Sequence, residues 1–283
     1  MIKQAKAKVI ADSINPWGKR ITTFELEYPR MVHSEFMTHR QFSRNASSSR
    51  AIPIDKVIQQ VKDNPAFPAK WGKNQAGMQS ETELSEYQQD QAKALWLASR
   101  DNAVAFATSM KNLGLHKQVV NRILEPYQFI KVVMTTTEYT NWEWLRLHKD
   151  ADPTIYDLAE VIKEARDNSI PIYLDEGMWH VPYVDMDIDA EGEQSFFDDS
   201  GNCISTEDAL KLSSSCCAQV SYRKLNKEFE KAEDIYTKLI ESERVHASPT
   251  EHQAKANSTC VISGNFRGGW IQYRQLIPNN AKH

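Results

Sequence analysis

Residues 39–50 (HRQFSRNASSSR) gather three guanidiniums, an imidazole, two amides and four hydroxyls into twelve positions. Arginine offers a planar fork of donors matched to phosphate oxygens, and serine hydroxyls fill the remaining acceptor sites. The run therefore suits a phosphate-bearing ligand. A solvated, Ser-rich surface turn has the same composition, and composition alone does not separate the two. Ser48 reads as a contact rather than a nucleophile, because no His/Asp pair is placed by sequence to activate it.

These groups need elements to hold them. Residues 21–29 (ITTFELEYP) alternate apolar and polar side chains, which predicts a half-buried strand stopped by Pro29. Residues 31–42 read as a helix with Phe36 and Met37 toward a core and His39 and Arg40 at its end, followed by a polar loop over 45–49. Residues 57–79, with Pro65, Pro68, Gly72 and Gly77, have the character of a loop, a lid or an insertion. A long Ala-rich helix is expected over 81–113, ended by Gly114, with Ala92, Leu95, Trp96, Ala103, Val104 and Phe106 in a core. Further helices are expected from 115, over 141–147, over 154–166 behind Pro153, over 206–213 and over 227–242. Residues 171–187 fit no single period. The acidic stretch 185–199 reads as exposed, and the Gly-rich 264–270 as a turn between strands at 259–263 and 270–275.

The run at 38–50 resembles the signature of flavin-dependent thymidylate synthases, RHRxxSxNxxSxR. His39, Arg40, Ser43, Asn45, Ser48 and Arg50 match, while Thr38 stands where the pattern begins with Arg and Ala46 where an acidic residue commonly follows the Asn. Two further blocks are similar to segments of that family. Arg122 lies in VVNRILEP, and LRLHKDADPTI (145–155) follows the LRxxxxAQxEI pattern at Arg146 and Ala151, with Asp152 and Thr154 at the Gln and Glu positions. CAQVSY (217–222) and HASPTEH (246–252) are similar to CARVSY and HxSPFEH, which in that family come first and here come last. The rotated order implies a circular permutation, with the old ends joined through 185–210; such rearrangement is tolerated where termini lie close together at the surface.

The resemblance implies an α/β (α+β) fold, a central antiparallel sheet with long helices in one domain over 1–283. Its parts would be a motif block at 21–52, an Arg-containing helical block at 112–166, an exposed connection at 185–210 and a permuted block at 211–252. It implies reductive methylation of dUMP to dTMP, with carbon from methylenetetrahydrofolate and hydride from FADH2 regenerated by NADPH. Arg146 matches the arginine that activates the pyrimidine ring. Glu35, Ser47, Ser48, Arg50 and Arg122, with Arg146, match the nucleotide-binding set. His39, Arg40, Gln41, Asn45, Asn141, Ser221, His246 and Ser248 match the flavin-contacting set, with Arg44 a possible substitute for the charge absent at Thr38. A homotetramer with sites shared between subunits is implied as well. C5 hydroxymethylation, another pyrimidine nucleotide, or a non-catalytic flavin- or nucleotide-binding role are the alternatives. For Arg122 and Arg146 taken singly, a helix-surface ion pair is the commoner fate of an arginine.

Composition narrows the classes. The chain has 283 residues, 41% hydrophobic, a net charge of −4 and a pI near 6.1. It is long enough to bury a substantial core, and it lacks the basic balance of a general nucleic-acid binder. No stretch approaches the roughly 18 apolar residues of a membrane span, and residues 1–12 lack the apolar core of a secretory signal, so a cytoplasmic protein is expected. The four cysteines form no CxxC pair, and no metal site is expected, since His246 and His252 have no third ligand nearby in sequence.

Overall fold

The computed structural model describes residues 3–221, 225–278 and 280–281. The chain opens with strands β1 (Lys6–Ile14) and β2 (Arg20–Pro29), passes a 3-10 turn (Arg30–Val32) into the short helix α1 (His33–Phe36), and enters strand β3 (Ser43–Ala46). Helices α2 (Ile54–Asp63), α3 (Glu86–Asn112) and α4 (Lys117–Val120) lead through a 3-10 segment (Asn121–Tyr127) to β4 (Phe129–Thr136). Helices α5 (Thr140–Arg146) and α6 (Pro153–Asp167) precede the short strands β5 (Ile172–Tyr173), β6 (Trp179–His180), β7 (Asp185–Ile188), β8 (Gln194–Phe197) and β9 (Cys203–Ile204). Helices α7 (Thr206–Ala218) and α8 (Phe229–Ile240), a 3-10 turn (Ser248–Glu251) and strands β10 (Ala254–Ala256) and β11 (Trp270–Gln272) complete it.

The architecture is mixed α/β. A five-stranded sheet runs β3-β4-β2-β1-β5, antiparallel except for the β1–β5 pair, so β3 is an edge. Period-2 alternation sorts β2 as the sequence predicts. Phe24, Leu26 and Tyr28 join Ile130, Val132 and Met134 of β4 under α5 and α6, where Trp142, Ile155, Leu158 and Ile162 close the main core. Thr23, Glu25 and Glu27 belong to the opposite face. Asp152 caps α6 through the Thr154 and Ile155 amides, with Pro153 in the first turn.

Several expectations need correction. The helix expected over 31–42 lasts one turn, leaving Phe36 buried but Met37 exposed. The chain turns there because β3 must reach the free edge of β4, and Arg44 Nη1 donates to the Phe36 and His39 carbonyls, which also accept the His39 and Phe42 amides of the turn. Two of the five residues of the loop expected at 45–49 are strand: Asn45 and Ala46 pair with Val133 and Val132. Residues 57–63 belong to α2, whose Val57 and Val61, one turn apart, pack with Val104 and Ala107 of α3; irregular chain begins only at Asn64. Helix α3 starts at Ser85, which forms a capping box with Gln88, and Gly114 ends it with φ +81. Its buried residues are Val104 and Ala107, whereas Leu95 and Phe106 are exposed. The acidic stretch is not a bare connection: β7, β8 and β9 form a meander that buries Phe196 with Leu212 of α7. No strand occupies 259–263; the partner of β11 is β10, and chain beyond Gln272 turns into a 3-10 segment. Among the described residues, no helix is long and apolar enough to cross a membrane.

Candidate functional site

The first block delivers its side chains to both faces of β3. Alternation along the strand turns Arg44 toward Phe36 and Asn45 toward His252. On the first face, α1 presents Glu35 and the turn after it presents His39. The His39 ring is 8% exposed, stacked on Phe42 and met edge-on by Trp142 at 4.6 Å between centroids. Arg146, at the C-terminal end of α5, donates from Nε to His39 Nε2 (3.0 Å) and from Nη1 to Glu35 Oε2 (3.1 Å). Accepting at Nε2 puts the His39 proton on Nδ1. Burial, reinforced by Arg146 and Arg44, lowers its pKa to about 4, so the ring is neutral at physiological pH. On the same face, Arg44 Nη1 is held by the Phe36 and His39 carbonyls. Thr38 closes its own turn by donating to the Glu35 carbonyl.

A second cluster fixes the loop that follows β3. Ser47 exchanges bonds with the Lys131 backbone, donating from its amide and accepting at Oγ. Buried Ser49 donates to Glu125 Oε1 at 2.8 Å, and Asn121 Nδ2 donates to the Ser49 and Ile52 carbonyls. Glu125 also pairs with Arg30 and Arg122, each at 3.1 Å. Arg122 is thus exposed and held by an i,i+3 partner, while Arg50 is exposed at the loop tip and Ser48 is half-buried. The loop backbone is pinned from beneath, and the exposed Arg50 and Arg122 guanidiniums beside it could receive an anion.

The third block approaches β3 from the other side. His252 Nε2 lies 3.4 Å from Asn45 Oδ1, and Glu251 pairs with Arg274. His246 is exposed with Nδ1 3.4 Å from Ser248 Oγ. Ser221 ends a short 3-10 turn (Gln219–Ser221); its side chain, like Tyr222 of the same motif, lies outside the described residues. Arg40, Gln41 and Asn141 are exposed, Asn141 on the same helix as Arg146.

The structure therefore brings together Glu35, His39 and Arg146, and separately Asn45 and His252. A cleft of about 510 Å³ lies beside that loop, lined by Ser47, Lys56, Gln60, Tyr127 and Lys131. Of the predicted residues it includes Ser47 alone. Among the described residues, no three His, Cys, Asp or Glu side chains gather as a metal site would require. All four cysteines are free, and burial pushes the Cys216 thiol up to about 12.

Glu125, Ser49 and Trp142 escaped sequence reasoning. The i,i+3 spacing of Arg122 and Glu125 was the available signal for the first. His180, Thr23 and Thr135 were also missed, although the Thr-rich starts of β2 and of the 135–137 run were visible.

No protein-family model matches the chain, and no curated protein does. Among solved structures, a UMP/dUMP methylase, PolB from Streptomyces cacaoi, is similar in two complexes. The complex with 5-Br UMP has 12% identity and a TM-score of 0.47, covering 58% of this chain and 89% of that one. The complex with 5-Br dUMP has 13% identity and a TM-score of 0.44, covering 58% and 90%.

Proposed function

We propose that this chain is a flavin-dependent enzyme that methylates C5 of a pyrimidine nucleoside monophosphate, dUMP in the first instance, in a circularly permuted single domain of the thymidylate synthase type. The observation that carries the reading is convergence on β3. Residues of the first and second blocks meet at His39 and Arg146, 107 positions apart, and residues of the first and third at Asn45 and His252, 207 apart. The position of His252 supports the rotated order, since Thr135 links it by two hydrogen bonds to Thr23 near the start of β2.

Arg50 and Arg122, with Ser47 and Ser48, hold the phosphate at the pinned loop. Arg146 stabilises negative charge that develops on the ring when C5 becomes a nucleophile. Its Nε and Nη1 are already engaged, so within the described residues Nη2 is the nitrogen left to face a ligand, and Glu35 orients the guanidinium. His39, neutral and wedged between aromatic rings, offers Nδ1–H as a donor. The exposed donors Arg40, Gln41 and Asn141 fit the chemistry of FAD, an anionic cofactor rich in acceptors, with Asn45, His246, Ser248 and Ser221 as further contacts. FAD, reduced by NADPH, would supply the hydride, and methylenetetrahydrofolate the carbon. The open geometry of these donors on one chain suits a homotetramer in which a neighbouring subunit completes each site.

The test is mass spectrometry of dUMP, UMP and dCMP after incubation with FAD, NADPH and methylenetetrahydrofolate. A methyl gain on dUMP is expected. A hydroxymethyl gain or a dCMP product would redirect the assignment, and no product from flavin-bound protein would refute it.

A further inference from the structure

Between the central sheet and the C-terminal elements runs an unbroken chain of hydrogen bonds. Ser13 Oγ lies 2.9 Å from His180 Nδ1, and His180 Nε2 lies 2.9 Å from Thr23 Oγ1. Thr23 Oγ1 is 2.7 Å from Thr135 Oγ1, its cross-strand neighbour, and Thr135 Oγ1 is 2.9 Å from His252 Nδ1. The last link is His252 Nε2 to Asn45 Oδ1 at 3.4 Å. The chain crosses β1, β2 and β4 and ends on the edge strand β3. Ser13, His180, Thr23, Thr135 and His252 are all buried; Asn45, half-exposed, is the end that reaches the surface.

Hydroxyls donate and accept, and a neutral imidazole has two tautomers, so most of these links could run either way. The last one sets the direction. Asn45 Oδ1 only accepts, which puts the His252 proton on Nε2 and makes Nδ1 an acceptor. Thr135 must then donate to His252, and with its one proton committed it accepts from Thr23. Thr23 donates to Thr135 and so accepts from His180 Nε2–H, leaving His180 Nδ1 to accept from Ser13. Every proton points toward Asn45. Burial holds both rings neutral, each lowered to about 3. A buried polar chain is costly when any member is unpaired and rigid when all are satisfied, and here each of the five buried members is paired.

We propose that the Ser13–His180–Thr23–Thr135–His252 chain is a positioning device for Asn45, holding its Oδ1 inward so that Nδ2–H is presented at the β3 edge as a donor to a carbonyl or phosphate oxygen of a bound ligand. The five inner side chains never touch that ligand; they act through Asn45. Assigning the ligand as FAD or dUMP rests on the proposed function, whereas the orientation of Asn45 does not.

The experiment is long-range proton–nitrogen NMR on the full chain labelled at histidine and asparagine, with FAD and dUMP titrations of the same samples. Wild type is expected to show His180 and His252 neutral at pH 7 with the proton on Nε2. Thr135→Val, which removes one hydroxyl at nearly constant shape, should shift the Asn45 side-chain amide and weaken binding about tenfold, while Thr135→Ser restores both. The Nδ1–H tautomer at His252 in wild type would overturn the proposal without any variant. A Val variant with an unmoved Asn45 amide and unchanged affinity would overturn it too, as would failure of Ser to restore them. Wild type that binds neither FAD nor dUMP, yet has the expected tautomers and an Asn45 amide that moves in the Val variant, would retire the proposed function and leave the positioning chain standing.

Discussion

The two faces of β3 handle polarity in opposite ways. On one, Arg146, Glu35 and His39 form a charged cluster that is open to solvent on one side and walled by Phe42 and Trp142 on the other. On the other, two histidines and two threonines are fully buried and neutral, and they share one continuous chain of hydrogen bonds. The open face keeps a guanidinium donor that a ligand can use. The closed face has no such donor to give except through Asn45. Charge is kept where chemistry would need it, and neutral polar groups are kept where geometry must be fixed.

Breaking the open face should give the largest effects. Arg146→Ala is expected to lower turnover by about 10²- to 10³-fold, the usual loss when one donor to developing charge is removed. Flavin should stay bound, and steady-state kinetics alongside flavin absorbance would check both. Trp142→Ala removes the wall behind His39 from a site only 2% exposed, and should cost about 3–5 kcal/mol in chemical denaturation.

Acid should break the closed face next. His180 and His252 have pKa values of about 3 in the folded chain against 6.5 when unfolded, so between those values the unfolded chain binds more protons. Stability is full above pH 6.5 and falls as pH drops toward 3, by about 2 kcal/mol for each ring at about pH 5. Denaturant midpoints across that window would show it, and His180→Gln should make the slope shallower without removing it, because His252 and His39, the latter lowered to about 4, titrate in the same window. The smallest effect belongs to the loop. Glu125→Gln leaves its hydrogen bond from Ser49 but weakens two partly exposed ion pairs, and should change stability by about 1 kcal/mol or less.

The open face was partly legible from sequence because motif residues carry it: His39, Arg146 and Glu35 could each be named before any contact was known. Strand β2 and helices α3, α5, α6, α7 and α8 were legible because their periods and caps are local. The one-turn α1 was not, since the length of that helix is decided by the edge of β4, 80 and more residues away. Helix α2 was hidden by the prolines and glycines that follow it. The closed face was the least legible. A threonine on a strand is ordinary, and only the register pairing Thr23 with Thr135, with His180 and His252 packed on top, turns four common side chains into a chain.

The most direct test of the convergence on β3 is a structure of this protein with FAD and 5-Br dUMP bound. The account predicts the nucleotide phosphate at Arg50 and Arg122, its ring within hydrogen-bonding reach of Arg146, and flavin against His39 and Asn45, whether from one chain or two. Nucleotide seated in the cleft lined by Lys56, Gln60 and Tyr127, with Arg146 still turned to Glu35 and His39 alone, would contradict it.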